Sequence, residues 1–178
     1  QALRASFTPI PGIVLPDAPA GDGTEQRLDL LAGLAVRTPE RAQSGVFVDA
    51  GGAVGTWAPG LAGCGRVEIG DGNPAAVVAE DAGLGLALLE PAQRLAPLGV
   101  ARIRAGAPRL QSDVALSGYS YGGRLGAPSV TFGTMEDVRG LDGSTDMRRL
   151  NLQALPGDAG GPVLDAAGQM MGVLLCFG

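Results

Sequence analysis

The chain has 178 residues, 46% of them hydrophobic and 17% charged, with a formal net charge of −5. That composition supports a globular fold rather than a disordered chain. All thirteen basic residues are arginines scattered along the chain, which argues against binding nucleic acid or an anionic membrane by charge neutralisation.

Residues 1–27, QALRASFTPIPGIVLPDAPAGDGTEQR, hold four prolines and no sustained alternation, and are read as an extended proline-rich N-terminal arm. Phe7, Ile10, Ile13, Val14 and Leu15 give it apolar side chains to lie against another surface, that of its own domain included. No leader precedes Gln1, and a processed N-terminus and a trimmed one would read alike. No apolar run reaches the eighteen or so residues that span a bilayer, which predicts a soluble chain without direct membrane insertion.

Short apolar or alternating runs then follow one another, separated by turn residues: LLAGLAVRT (30–38), GVFVDAGGAVGTW (45–57), RVEIGDG (66–72), AAVVAED (75–81), LGLALLE (84–90), DVALSGY (113–119) and SVTFGTMEDV (129–138). This spacing predicts an all-β barrel or sandwich. Residues 46–49 and 53–56 flank Ala50-Gly51-Gly52 as a hairpin, and in PVLDAAGQMMGVLLCFG (162–178) the turn at 165–168 joins two further strands. LGLALLEPAQRL has a helical composition, but Pro91 and its glycines favour a strand. A composition shift near residues 97–111 marks a join between two halves.

Cys64 and Cys176 stand far apart, with no CxxC spacing and no histidine in the chain. Zinc and other cofactors are therefore not expected. The two cysteines are open to two readings, one disulfide in an oxidising compartment or two separate thiols.

Four segments in order resemble the trypsin-like (chymotrypsin-fold) serine proteases, most closely the HtrA-type branch, over residues 30–178. SGVFVDAGGAVGTWAPGLAGCGRV (44–67) is similar to the strand, hairpin and histidine loop of the pattern GSGVxVxxxGxVLTxAHVV. EDAGLGLALLE (80–90) is similar to the aspartate segment DxxxDLALLxV. SGYSYGGRLGAPSVTFGTMEDV (117–138) matches the GxPxG loop and the strand after it, and LPGDAGGPVLDAAGQMMGVLL (155–175) matches the nucleophile loop PGDSGGPV with its hairpin and cleft strand. The resemblance implies two six-stranded β-barrels with a cleft between them, the first over 28–104 and the second over 105–178. It also implies further strand or helix after Gly178.

The mechanism of that family needs a serine hydroxyl, an imidazole and a carboxylate. Carried across the motifs, these positions fall on Ala159, Pro59 and Gly85, and the chain has no histidine anywhere. A methyl group, a prolyl ring and a bare α-carbon supply no nucleophile, base or orienting acid. The implication is a pseudoprotease rather than an enzyme. Ser117, Ser120 and Ser129 have no base at a predictable distance, and the cysteines have no imidazole partner. Unconventional acid chemistry at Asp158, Glu80 or Asp81 has no paired-carboxylate spacing to support it.

The surviving frame still implies binding. Gly157 and Ala159 hold the positions whose backbone N–H groups form the family's oxyanion hole, while PGDAGGP also reads simply as a tight turn that the barrel needs. Asp158 is expected to accept hydrogen bonds from nearby backbone. The strand 172–178 would line the cleft, with Leu174, Leu175 and Cys176 as an apolar wall, although alternation sends half of such side chains into the barrel. Trp57 stands at the mouth of the site, either as core or as a contact anchor, and GYSYGG (118–123) is a loop open to the same two readings. These features point to a protein- or peptide-binding module of the periplasm or the secreted space. The alternative is a scaffold or homo-oligomer with a vestigial cleft, contacting partners through the arm or the outer barrel surfaces.

Overall fold

The computed structural model describes residues 39–70 and 72–175. The proline-rich arm, the expected strand at 30–38 and Cys176 lie outside the described residues.

Among the described residues ten strands form two antiparallel sheets of five. The first comprises β1 (Gly45–Phe47), β2 (Val54–Trp57), β3 (Val67–Ile69), β4 (Asn73–Asp81) and β5 (Leu86–Pro91), in the order β1-β2-β5-β4-β3. The second comprises β6 (Asp113–Gly118), β7 (Ser129–Asp137), β8 (Arg149–Asn151), β9 (Pro162–Leu164) and β10 (Met170–Val173), in the order β10-β9-β6-β7-β8. No α-helix occurs among the described residues, only two short 3₁₀ turns at Pro59–Leu61 and Ser120–Gly123. The architecture is the all-β double barrel expected from the sequence, with five strands per sheet among the described residues where six were expected.

Alternation builds each core. In β6, Val114 and Leu116 turn inward and join Met135 of β7 and Val163 of β9, all four buried, as the two-residue period of a strand requires. Val138, Leu150, Leu152, Met171 and Leu174 pack around them. In the first sheet, Val54 and Thr56 of β2 pair in register with Leu89 and Ala87 of β5, and all four are buried. LGLALLE forms a strand because its side chains fit this pleated, half-buried surface and because the turn at 82–85 ends only at Gly85, in the left-handed region at φ 67°. Sequence reasoning missed β8, which is three residues long and pairs with β7 across a bulge between Met135 and Asp137.

The connection between the sheets is strapped to both of them. Leu95 N–H donates to the Gly51 carbonyl (3.0 Å) and Ala101 N–H to that of Phe47 (2.8 Å). Arg104 N–H then donates to the carbonyl of Met170 (2.9 Å), and Met170 N–H returns to that of Arg102 (2.8 Å). This pairing covers one end of β10, which is otherwise the edge strand of its sheet.

Two turns depend on carboxylates. Asp49 Oδ1 accepts the N–H groups of Gly51, Gly52 and Ala53 at 2.8–2.9 Å. Asp165 Oδ1 accepts those of Ala167 and Gln169, both at 2.9 Å, while Oδ2 meets Arg104 at 3.2 Å. The Ala53 N–H, followed by those of Gly51 and Gly52, holds the Asp49 carboxyl below the usual carboxylate range. The Gln169 and Ala167 N–H groups and the Arg104 charge do the same for Asp165. A depressed folded pKa gives stability that is complete above the unfolded value of about 4 and is lost as pH falls through the folded value. The denaturation midpoint is therefore expected to drop below about pH 4, and to drop less in Asp49→Asn/Asp165→Asn, followed by chemical denaturation across pH.

Candidate functional site

The site forms where the loop 155–161 meets the entrance to the first sheet. Asp158 N–H donates to the Leu155 carbonyl (3.0 Å) and Gly161 N–H to the Asp158 carbonyl (2.9 Å), two successive tight turns. Gly157 and Gly160 hold positive φ of 99° and 85°. Glycine is also required sterically at both positions. A Cβ on Gly157 would overlap the Tyr119 carbonyl oxygen, and one on Gly160 would overlap the Ser44 carbonyl oxygen and Thr56 Oγ1. Backbone at Ser44 and at 119–122, with the Thr56 hydroxyl, thus closes on this loop too tightly to admit a side chain.

Ser44 joins the loop to the first sheet. Its N–H donates to the Ala159 carbonyl (2.9 Å), and its hydroxyl donates to the Gly157 carbonyl (2.6 Å) while accepting Tyr119 N–H (2.7 Å). Its own carbonyl accepts the Thr56 hydroxyl (2.6 Å). Gln43 Nε2 extends this network to Thr56 Oγ1 and the Trp57 carbonyl, both at 2.8 Å. The pattern GSGVxV carried a signal for Ser44, since the serine preceding GV is part of it; no sequence feature pointed to Gln43.

Asp158 is buried, at 1% exposure. Its Oδ2 accepts Leu155 N–H (2.8 Å) and its Oδ1 accepts the Ser120 hydroxyl (2.7 Å). Ser120 also contacts the Ser129 hydroxyl, which reaches the Gly118 carbonyl (3.2 Å). Ser120 and Ser129 therefore anchor the Asp158 carboxylate, whereas the sequence had raised them only as candidate nucleophiles. Glu80 and Asp81 lie apart from it, exposed on β4. Among the described residues no group of three or more His, Cys, Asp or Glu side chains is arranged to hold a metal ion.

Pro59 and Gly85 are neighbours. Ala58 N–H donates to the Gly85 carbonyl (2.9 Å), and a Cβ on Gly85 would stand 3.9 Å from Pro59 Cδ. Ala159, 7% exposed, is tied to this corner through Ser44 and Thr56. Trp57 ends β2 half-buried, and a Cβ on Gly60 would lie 3.0 Å from its ring atom Cε3. The 3₁₀ turn that Pro59 opens thus passes close to the indole.

The cleft wall differs in detail from the expected strand 172–178. β10 ends at Val173. Leu174 is held by Gly160 N–H donating to its carbonyl and by its own N–H donating to the Gly161 carbonyl, both 2.9 Å. Its side chain packs on the core of the second sheet, and Leu175 follows half-buried outside the strand. The strand stops there because the tight turn at 158–161 takes up the backbone groups of Leu174. Cys64 is an exposed free thiol.

Beside the loop, Tyr119 and Tyr121 are 43% and 52% exposed, and Tyr121 holds a left-handed φ of 58°. Gly122 N–H donates to the Pro156 carbonyl (3.1 Å), which clips this aromatic loop to the loop 155–161. Among the described residues, neither Gly157 N–H nor Ala159 N–H donates to any protein group.

The family model of the trypsin-like peptidase domain matches residues 43–173, and the chain belongs to that family. Among solved structures it is similar to the serine endoprotease from Yersinia pestis, with a TM-score of 0.62 at 23% identity over 75% of this chain and 47% of that one. It is also similar to the HtrA-type protease AlgW, with a TM-score of 0.63 at 25% identity over 76% of this chain and 43% of that one. An inactive serine-to-alanine mutant of Rv3671c from M. tuberculosis gives a TM-score of 0.59 at 25% identity, over 74% and 69%. The chain thus spans less than half the length of the first two. No curated protein matches it.

Ser44→Ala leaves the Tyr119 N–H without its acceptor and removes the donor to Gly157, so it is expected to cost about 1–3 kcal/mol. Gly160→Ala is expected to cost about 2–4 kcal/mol, since backbone has to move. Chemical denaturation of the two variants against the parent chain measures both.

Proposed function

We propose that this domain is a non-catalytic member of the trypsin-like peptidase family that binds an extended peptide or a segment of a partner protein in its cleft. One observation carries the reading: the loop and edge-strand frame of the site is fully built, while Ala159, Pro59 and Gly85 put no titratable or nucleophilic atom into it. Acyl transfer in this family needs a hydroxyl and an imidazole to take its proton, and a chain without histidine offers no such base. Binding needs neither group. Main-chain N–H and C=O groups on an edge strand pair with an extended ligand whatever side chains stand nearby, and among the described residues β10 is an edge strand beyond its paired end at Met170.

Three further features support a peptide ligand. The AlgW structure that this chain resembles was solved with a decapeptide. Tyr119 and Tyr121 stand exposed beside the loop, and large aromatic groups of this kind are preferred anchors at binding surfaces. The left-handed φ of Tyr121 is strained for a bulky residue, and strain of that kind collects at functional sites. A setting in the periplasm or outside the cell goes with this reading.

The test has two parts. A broad peptide and ester panel is expected to show no hydrolysis above the buffer rate, and Ala159→Ser alone is expected to restore none. Titration of a pool of extended decapeptides is expected to show saturable binding, weakened about tenfold or more by Leu175→Arg, with circular dichroism confirming that the variant folds. Hydrolysis by the parent chain, or the absence of any peptide binding at millimolar concentration, would overturn the proposal.

A further inference from the structure

The outer face of the second sheet carries large apolar side chains in the open. Val114 and Leu116 of β6 and Met135 of β7 turn into the core. Alternation therefore sends Asp113, Ala115 and Ser117 of β6, and Val130, Phe132, Thr134 and Glu136 of β7, to the opposite face. Most of these are polar or small, as a solvated sheet face requires. Val130 and Phe132 are neither, and they stand 55% and 79% exposed in one row along β7. Phe132 lies across from Ala115 and Val130 from Ser117, so their small neighbours leave both uncovered. The two ends of this face differ in charge. Asp113, opposite Thr134, and Glu136 are exposed at one end. At the other, beyond the pair Gly118 and Ser129, the loop 119–128 carries the exposed Arg124. Among the described residues none of these three charges forms an ion pair.

We infer that this face joins two copies of the chain in a twofold dimer, sheet against sheet, with the β7 strands of the two copies running in opposite directions. The inference is independent of the peptide-binding reading. A twofold axis that crosses β7 between Val130 and Phe132 sets each Phe132 ring against Val130 of the other copy. Ala115 and Ser117 leave room for the ring as the two sheets close to face-to-face packing distance. The same rotation reverses the charged ends. Asp113 and Glu136 of one copy come to the end that carries Arg124 of the other, and symmetry makes this contact twice. The order of charges is what selects a second copy as the occupant. A row of apolar side chains with acid at one end and base at the other is complementary to itself once it is reversed, and such charges fix the register of an interface. The alternative twofold arrangement, with the strands parallel, would bring like charges together.

Sedimentation velocity of the full 178-residue chain, from low micromolar to near-millimolar concentration, measures the association. A monomer–dimer equilibrium is expected. Phe132→Asp is expected to weaken the dimer at least about tenfold, and the milder Phe132→Ser to act in the same direction. A side chain that is 79% exposed contributes little to the core, and circular dichroism checks that both variants fold. Arg124→Glu is expected to weaken the dimer about fivefold. Combining it with Asp113→Arg and Glu136→Arg is expected to restore the association, because the exchanged ends again meet opposite charges. A chain that stays monomeric throughout, or a dimer that the Phe132 variants leave intact, would overturn the inference. A triple charge variant that associates no better than Arg124→Glu would overturn the antiparallel arrangement on which it rests.

Discussion

The site depends on the hydrogen bonds of Ser44. This residue precedes β1, yet its N–H, hydroxyl and carbonyl connect Ala159, Gly157, Tyr119 and Thr56 in one network. The loop that would present a nucleophile is thereby fastened to the entrance of the first sheet by bonds that involve no nucleophile. Gly160, pressed between Ser44 and Thr56, shows how closely the two parts are fitted. The carbonyls of Gly157 and Ala159 tie the loop to Ser44, Gly160 packs against Ser44 and Thr56, and the Asp158 side chain braces the loop on Ser120 and Leu155; none of these contacts uses the side chain of residue 159.

The same arrangement separates what catalysis requires from what binding requires. Catalysis in this family passes through three side chains, and the positions matched to them hold an alanine, a proline and a glycine. Binding runs through backbone groups, whose placement is set by turns, register and hydrogen bonds. On the reading proposed above, the second set of requirements stands without the first. Asp158 illustrates the point, since Ser120 and Leu155 N–H hold its carboxylate inside the protein as part of the frame.

Much of the fold was legible in the sequence because alternation and turn chemistry are local signals. The runs 45–57, 75–81, 84–90, 113–119 and 129–138 each overlap an observed strand, and the hairpin around 165–168 follows from the turn residues that Asp165 organises. β8 was not legible, because three residues paired across a bulge leave no periodicity to read. The end of β10 at Val173 was hidden for another reason. Leu174 looks like a continuing strand residue, and only its long-range bonds to Gly160 and Gly161 divert it. At the site, motif order singled out Pro59 and Gly85, which the structure places side by side, and Ala159, which it ties to Ser44, and the pattern around GVFV contained Ser44. The roles of Gln43, Ser120 and Ser129 are set by partners far away in sequence, which no local pattern encodes.

The central claim is that the frame around Gly157 and Ala159 is a working binding surface. The most direct test is a two-dimensional amide correlation spectrum of the ¹⁵N-labelled domain, recorded as a pool of extended decapeptides is added. The account predicts saturable shifts concentrated at the Gly157, Ala159, Tyr121 and Val173 amides. Shifts confined to the outer face of the second sheet around Val130 and Phe132, or a spectrum that does not change, would contradict it.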